Sequence, residues 1–148
     1  MKDANTFETV KAGFTEYLVK NQYRRTPERY AILEHINAID GHFTAEMLFK
    51  TMQNNFRVSL ASVYNSLDLL IKMGLIIRHQ FGNNPAEYER TFRTIIHHHL
   101  VCSNCGKIKE FTDKNLKTTI EAKKFNNFLP HHFSLCIYGY CNKCKHLI

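Results

Sequence analysis

Four segments in the first half of the chain repeat apolar residues at the three-to-four-residue spacing of an amphipathic helix. The second segment opens on Thr26-Pro27, a favoured N-cap residue followed by proline in the first helical position. Thr44 and Ser59 are predicted to cap the third and fourth helices, and Gly74 is predicted to end the fourth. The helices are therefore predicted to begin near Thr6, Pro27, Thr44 and Ser59.

The hydrophobic period changes after these helices. Residues 75–81 predict a strand, the Gly-Asn-Asn-Pro sequence at 82–85 predicts a turn, and residues 87–91 predict the returning strand. Helices followed by a β-hairpin are typical of a winged helix-turn-helix domain, which binds DNA. The pattern alone also fits a helical domain whose β-ribbon binds nothing.

Beyond this hairpin the composition shifts toward histidine and cysteine. The sequence predicts a second hairpin around Cys102–Gly106, a helix over residues 115–128 and a strand over residues 133–140. Helices and strands are thus grouped along the chain, which indicates the α+β class.

Composition places the chain among ordinary globular proteins, with 148 residues of which 44% are hydrophobic and 22% are charged. No stretch approaches the roughly 20 apolar residues of a membrane helix, and the N-terminus lacks the apolar core of a signal peptide. We therefore expect a cytoplasmic protein without a membrane partner. Five cysteines in such a chain favour metal binding or free thiols over a disulfide framework.

The formal charge of +7 makes an acidic partner such as nucleic acid plausible. Residues 1–82 contain ten Lys/Arg and eight Asp/Glu, whereas residues 83–148 contain ten and five. Because the excess lies in the cysteine-rich half, a DNA-binding prediction must rest on the helix-turn-helix pattern.

Two CxxC pairs carry the strongest chemical signal. Cys102/Cys105 and Cys141/Cys144 supply the four thiolates of a closed, tetrahedral structural zinc site. A redox CxxC pair lacks its usual βαβ context, and the spacing is unusual for an iron–sulfur cluster. Cys136, between Leu135 and Ile137, is expected to be a small core residue.

His97 and His99 alternate along a predicted strand, so their imidazoles leave the same face. Glu110 is predicted to lie on the facing strand, and His42 and Glu89 could complete a mixed nitrogen and oxygen ligand set. Such a set suits iron, manganese, cobalt or zinc. From the residues alone, the three adjacent histidines are equally compatible with a solvated strand end.

Five short sequences in a fixed order resemble the ferric uptake regulator family of bacterial repressors. The resemblance extends from about Lys20 to Cys144. The matching segments are Thr26–Arg29, His42–Glu46, Ala61–Tyr64, His99–Cys102 with Cys105–Lys107, and Tyr138–Cys141 with Cys144.

The resemblance implies a winged-helix DNA-binding domain over residues 1–91 and an α/β dimerisation domain with a structural zinc over residues 92–148. It also implies a regulatory metal site at the hinge between them. The ligands implied by position are His42, Glu89, His97, His99 and Glu110. We expect the metal to bring the two DNA-binding domains of a homodimer into a pose that binds an AT-rich inverted repeat.

For DNA contacts, a helix in the major groove would present Ser59, Ser62, Tyr64 and Asn65. Tyr64 matches the thymine-contacting tyrosine of the family, and Asn65 stands where many relatives have arginine. Arg24 matches a basic residue that enters the narrow minor groove of AT-rich DNA.

Two departures from the family pattern also bear on function. Some members have a further metal site, whose four positions here are Ile96, His98, Lys117 and Phe133. Since only His98 can bind a metal and His132 lies one position out of register, we expect that site to be absent or rebuilt. Peroxide-sensing relatives use aspartates where this chain has Glu89 and Glu110, which favours a metal sensor.

The leading hypothesis is thus a repressor, not an enzyme, that senses Fe2+, with Mn2+ or Zn2+ as other candidate ions. A peroxide- or haem-sensing regulator is the alternative within the family. A zinc metalloenzyme is the alternative from another class, because Glu and His beside a metal can activate water.

Overall fold

The computed structural model describes residues 6–130 and 132–147 and has the α+β architecture predicted. The helices are α1 (Phe7–Lys20), α2 (Pro27–Ala38), α3 (Ala45–Gln53), α4 (Leu60–Lys72) and α5 (Lys114–Glu121). The strands are β1 (Ile76–His79), β2 (Glu87–Arg90), β3 (His98–Cys102), β4 (Ile108–Phe111) and β5 (Cys136–Gly139). Among the described residues, none of the helices combines the length and apolar character that a membrane span requires.

The chain divides into two compact units. The first comprises Met1–Gln80 and Pro85–Thr94, and the second comprises Phe81–Asn84 and Ile95–Ile148. The boundary sequence around the first hairpin therefore contributes to both units.

In the first unit, α2, α3 and α4 pack against one another and α1 packs against α2. The caps predicted for α3 and α4 are present, because Thr44 accepts from the Met47 N–H and Ser59 accepts from the Ser62 N–H, both at 3.1 Å. Thr26 precedes Pro27 at the N-cap position of α2 but makes no side-chain cap hydrogen bond. The apolar faces enclose one core, which includes Phe14, Ile32, Leu48, Met52, Leu67 and Leu70.

The wing of this unit is a small antiparallel sheet. β1 pairs with β2, and Phe43 forms an isolated antiparallel bridge with Tyr88 on the other side of β2. Two backbone hydrogen bonds of 2.9 and 2.7 Å form that bridge, and the two rings stack with centroids 5.8 Å apart. Phe43 and Tyr88 face the core, so neighbouring side chains on these strands face the other way.

In the second unit, β3 lies between β4 and β5, antiparallel to β4 and parallel to β5. The helix predicted over residues 115–128 is only partly correct, because α5 runs from Lys114 to Glu121. Asp113 caps its start, and Asn127 has a left-handed backbone with φ of 56° within the segment predicted to be helical. β5 is likewise shorter than the predicted strand.

Candidate metal centres and DNA-facing helix

The four predicted zinc ligands come together in the second unit. Cys102 ends β3, Cys105 follows in the tight turn to β4, and Cys141 and Cys144 follow β5. One Sγ atom from each lies within 4.8 Å of the others. Gly106, with φ of 71°, closes the first turn in a left-handed conformation that suits glycine.

The electrostatics of this cluster fit a cation. Backbone N–H groups of Cys105 and Cys141 lower the pKa of Cys102 to about 6, so this thiol ionises readily. Asn104 donates to Cys144 Sγ at 3.3 Å, yet burial and the neighbouring sulfurs raise the pKa of Cys144 to about 11. Four thiolates this close repel one another unless a positive ion lies among them. A tetrahedral zinc supplies that charge.

The second donor set of interest lies on the wing of the first unit, on the strand face opposite Phe43 and Tyr88. Glu89 on β2 is only 4% exposed. His42 Nε2 lies 3.2 Å and His79 Nε2 lies 3.1 Å from the same atom, Glu89 Oε2. The other ring nitrogen of His42, Nδ1, lies 3.3 Å from Glu87 Oε2.

A buried carboxylate needs compensating donors or cations, because loss of hydration strongly disfavours its ionised form. Glu89 obtains imidazole neighbours from two separate segments. Nitrogen and carboxylate oxygen are the donor types that divalent iron, manganese and zinc accept. The wing and the adjoining His42 therefore supply nitrogen and oxygen donors suited to a divalent metal, but too few to complete its coordination.

The remaining predicted ligands are His97, directly before β3, His99 on β3 and Glu110 on β4 of the second unit. His99 faces Glu110 in the strand register, and the rings of His97 and His99 meet edge to face with centroids 4.9 Å apart. His97 Nδ1 lies 2.9 Å from the Ile95 carbonyl, and its Nε2 lies 3.8 Å from Glu110 Oε1.

The bond to Ile95 fixes the tautomer of His97. A carbonyl only accepts, so Nδ1 carries the proton and, in the neutral ring, Nε2 carries the lone pair. Glu110 Oε1 lies 3.8 Å from that nitrogen, a separation that a metal cation bound to both atoms would stabilise. Metal-binding histidines commonly have this kind of second hydrogen bond.

His79 and Glu87 did not emerge from sequence reasoning as members of the site. The sequence signal for Glu87 is the alternation of side chains along a strand, which puts it on the same face as Glu89. In the structure, Glu87 pairs with His79 across the hairpin.

The four positions of the further family site do not assemble a ligand set. His98 is fully buried between the rings of Phe111 and Phe133, and Lys117 forms an ion pair with Glu121. Within residues 6–130 and 132–147, no group of three or more potential ligands includes His98. Ile96 and His132 are both exposed.

The predicted DNA-contacting residues on α4 share its solvent-facing start. Ser59 and Ser62 are joined by a 2.9 Å hydrogen bond between their hydroxyls, and Asn65 is exposed. Tyr64 is 40% exposed and donates to Glu46 Oε1 of α3 at 2.6 Å. Arg24 is exposed in the connection between α1 and α2, and its carbonyl accepts from Arg29.

Comparison with known proteins identifies matches along most of the chain. The model of the ferric uptake regulator family matches residues 20–138. The peroxide operon regulator of Bacillus subtilis is 34% identical over 132 residues, which are 88% of this chain and 90% of that protein. A peroxide-responsive repressor of Staphylococcus epidermidis is 30% identical, over 86% of this chain and 85% of its own.

Solved structures of ferric uptake regulators also superpose on this chain. The ferric uptake regulator of Pseudomonas aeruginosa with manganese superposes with a TM-score of 0.70 at 27% identity, covering 86% of this chain and 97% of its own. The Helicobacter pylori ferric uptake regulator, described as having three functional metal-binding sites, superposes with a TM-score of 0.74. At 24% identity, covering 98% of this chain and 97% of that one, this second match supports the fold alone.

Proposed function

The chain belongs to the ferric uptake regulator family, and we propose that it is a metal-responsive transcriptional repressor that binds DNA as a homodimer. The observation that carries the regulatory part is the buried Glu89 carboxylate with its imidazole neighbours. A carboxylate that has lost its hydration in this way is strongly stabilised by a nearby cation. The free energy of metal binding can therefore favour the conformation in which the site is complete.

The two donor sets suit different roles. The four-cysteine site takes a zinc ion with no open position, which is the arrangement of a structural site. Its contribution is folding free energy for the second unit, whose core is small.

We assign the regulatory ion to His42, Glu89, His97, His99 and Glu110. That assignment rests on the family resemblance and on the donor chemistry within each unit. Fe2+ is the proposed physiological ion, and Mn2+ and Zn2+ suit the same donors. Binding of the ion by these residues would shift the population of dimers toward the DNA-competent pose.

The proposed DNA target is an AT-rich inverted repeat, because a two-fold dimer presents two copies of α4 to two half-sites. The start of α4 would lie in the major groove, with Ser59, Ser62, Tyr64 and Asn65 toward the bases. Arg24 would enter the minor groove.

The test measures DNA affinity by fluorescence anisotropy with zinc retained at the cysteines. Protein stripped of other metals is titrated with an inverted-repeat duplex, with and without Mn2+, anaerobic Fe2+ or further Zn2+. We expect about 5–150-fold tighter binding with the effective ion, the usual range of allosteric coupling, and DNA should tighten metal binding by the same factor. Equal affinities with and without each ion would refute the proposal.

A peroxide-responsive repressor is the second candidate, favoured by the names of the Bacillus and Staphylococcus relatives. The Fe2+-loaded protein would be treated with hydrogen peroxide and analysed by mass spectrometry and DNA binding. Addition of oxygen to His97 or His99 together with loss of DNA binding would favour this candidate. Loss of binding that reversed on metal resupply, with both histidines intact, would favour metal sensing.

A further inference from the structure

We propose that Glu87 and His79, two residues outside the family ligand set, are positioning residues for the regulatory metal. Glu87 would orient His42, and His79 would orient Glu89. This inference rests on the proposed function, since it assigns partners to two of the proposed ligands.

The role of Glu87 follows from the two nitrogens of His42. Nδ1 lies 3.3 Å from Glu87 Oε2, and Nε2 lies 3.2 Å from Glu89 Oε2. A metal-binding imidazole is neutral and offers one lone pair, so its other nitrogen must be an N–H donor. Glu87 Oε2 is the carboxylate oxygen within reach of a proton on Nδ1, and a hydrogen bond there would leave Nε2 as the ligand atom on the side of Glu89.

The role of His79 follows from the burial of Glu89. Once His42 Nε2 is committed to a metal, it no longer donates a proton to the Glu89 carboxylate. His79 Nε2, 3.1 Å from Oε2 in a side chain that is 5% exposed, can still donate there. That bond fixes the rotation of the carboxylate and compensates part of its desolvation.

The hairpin register explains why one pair of residues serves both ligands. His79 and Glu87 are directly opposed across β1 and β2. The Phe43–Tyr88 bridge brings the segment of His42 to the other edge of β2, with His42 on the same face as Glu87 and Glu89, opposite Tyr88. Both supporting contacts therefore depend on rigid strand pairing.

The test uses variants that keep or remove each hydrogen bond. E87Q retains an oxygen acceptor for His42, whereas E87L retains none. H79Q retains an N–H donor for Glu89, whereas H79L retains none. H35Q is the matched control, because His35 lies in the same unit and bonds its own helix at the Ala31 carbonyl, 2.8 Å away. Folding of each variant is checked by the zinc content of the cysteine site and by the thermal midpoint of the protein without the regulatory metal.

Affinity for Mn2+ is measured by calorimetry, and Co2+ absorption reports the ligand geometry. We expect the leucine variants to lose about 10–100-fold in affinity and to change the Co2+ spectrum, as is typical for removal of outer-shell partners. The glutamine variants and H35Q should remain within a few-fold of the parent chain. A merely structural role would lower the thermal midpoint without this rescue by glutamine.

The two proposals fail in different ways. If the parent chain binds no second metal beyond the zinc, the proposed function fails. If the parent chain binds it and both leucine variants bind it equally well with unchanged Co2+ spectra, only the positioning role is overturned. If E87L and H79L do not fold, E87Q and H79Q decide, because a loss of tenfold or more in those folded variants would contradict hydrogen-bond positioning.

Discussion

Tyr64 on α4 donates a 2.6 Å hydrogen bond to Glu46 on α3, so the tyrosine proposed to contact thymine is held by an acidic side chain of the neighbouring helix. Both residues lie on the solvent-facing side of the helix-turn-helix pair. The bond orders the tyrosine before DNA arrives, but it also places a negative charge close to where phosphates and base edges would lie.

Removing that charge should strengthen DNA binding. We expect E46Q, which keeps an oxygen acceptor for Tyr64, to bind an inverted-repeat duplex about two- to tenfold more tightly because repulsion from phosphates is relieved. The gain should shrink as salt is raised, since salt screens the interaction. Anisotropy titrations at several salt concentrations measure it. E16Q, which removes an exposed charge on α1, is the control, and an equal gain there would mean that net charge alone is responsible.

Loss of the tyrosine hydroxyl should change the titration of Glu46. The hydrogen bond from Tyr64 lowers the pKa of Glu46, and its own backbone amide contributes further. A lowered folded-state pKa stabilises the protein above the ordinary glutamate value, and that stabilisation is lost as pH falls through the lowered pKa. In Y64F we expect the pKa of Glu46 to rise toward its ordinary value, measured by NMR titration of its side-chain carboxyl. An unchanged Glu46 titration would show that the hydroxyl is not the cause.

The sequence predicted the four N-terminal helices and the wing because their signals are local. Caps such as Thr44 and Ser59 act within three residues, and the alternation of β2 is visible in the chain itself. The two CxxC pairs were equally informative, since their spacing already forms each half of the cluster.

Contacts between side chains that are distant in the sequence could not be predicted from such local signals. Nothing local indicates that Tyr64 meets Glu46 across two helices, or that His79 meets Glu89 across the hairpin. The length of α5 was overestimated because apolar periodicity continues past Glu121, while the left-handed Asn127 interrupts the helical backbone. The two side-chain contacts depend on the packing of segments that are distant in the sequence.

Zinc removal should loosen the second unit and spare the first. The second unit has few buried apolar residues, whereas the first has a continuous core. In C141S, or after strong chelation, we expect faster amide exchange in β3–β5 and α5 with protection of α1–α4 retained. C136S is the matched control, since Cys136 lies outside the four-sulfur cluster. Uniform loss of protection in both units would contradict a local role for the zinc.

Replacement of His98 should stabilise the protein. Its imidazole is fully buried against the rings of Phe111 and Phe133, and neither ring nitrogen has a hydrogen-bond partner among the described residues. Such a group retains its desolvation cost without compensation, so H98L should raise the free energy of unfolding by about 1–2 kcal/mol, measured by urea denaturation. H146Q, at an exposed histidine, should leave that energy unchanged. Metal analysis should give the same number of ions per chain for H98L and the parent. Loss of one metal equivalent, or marked destabilisation, would mean that His98 is a ligand and that the further family site has been rebuilt around it.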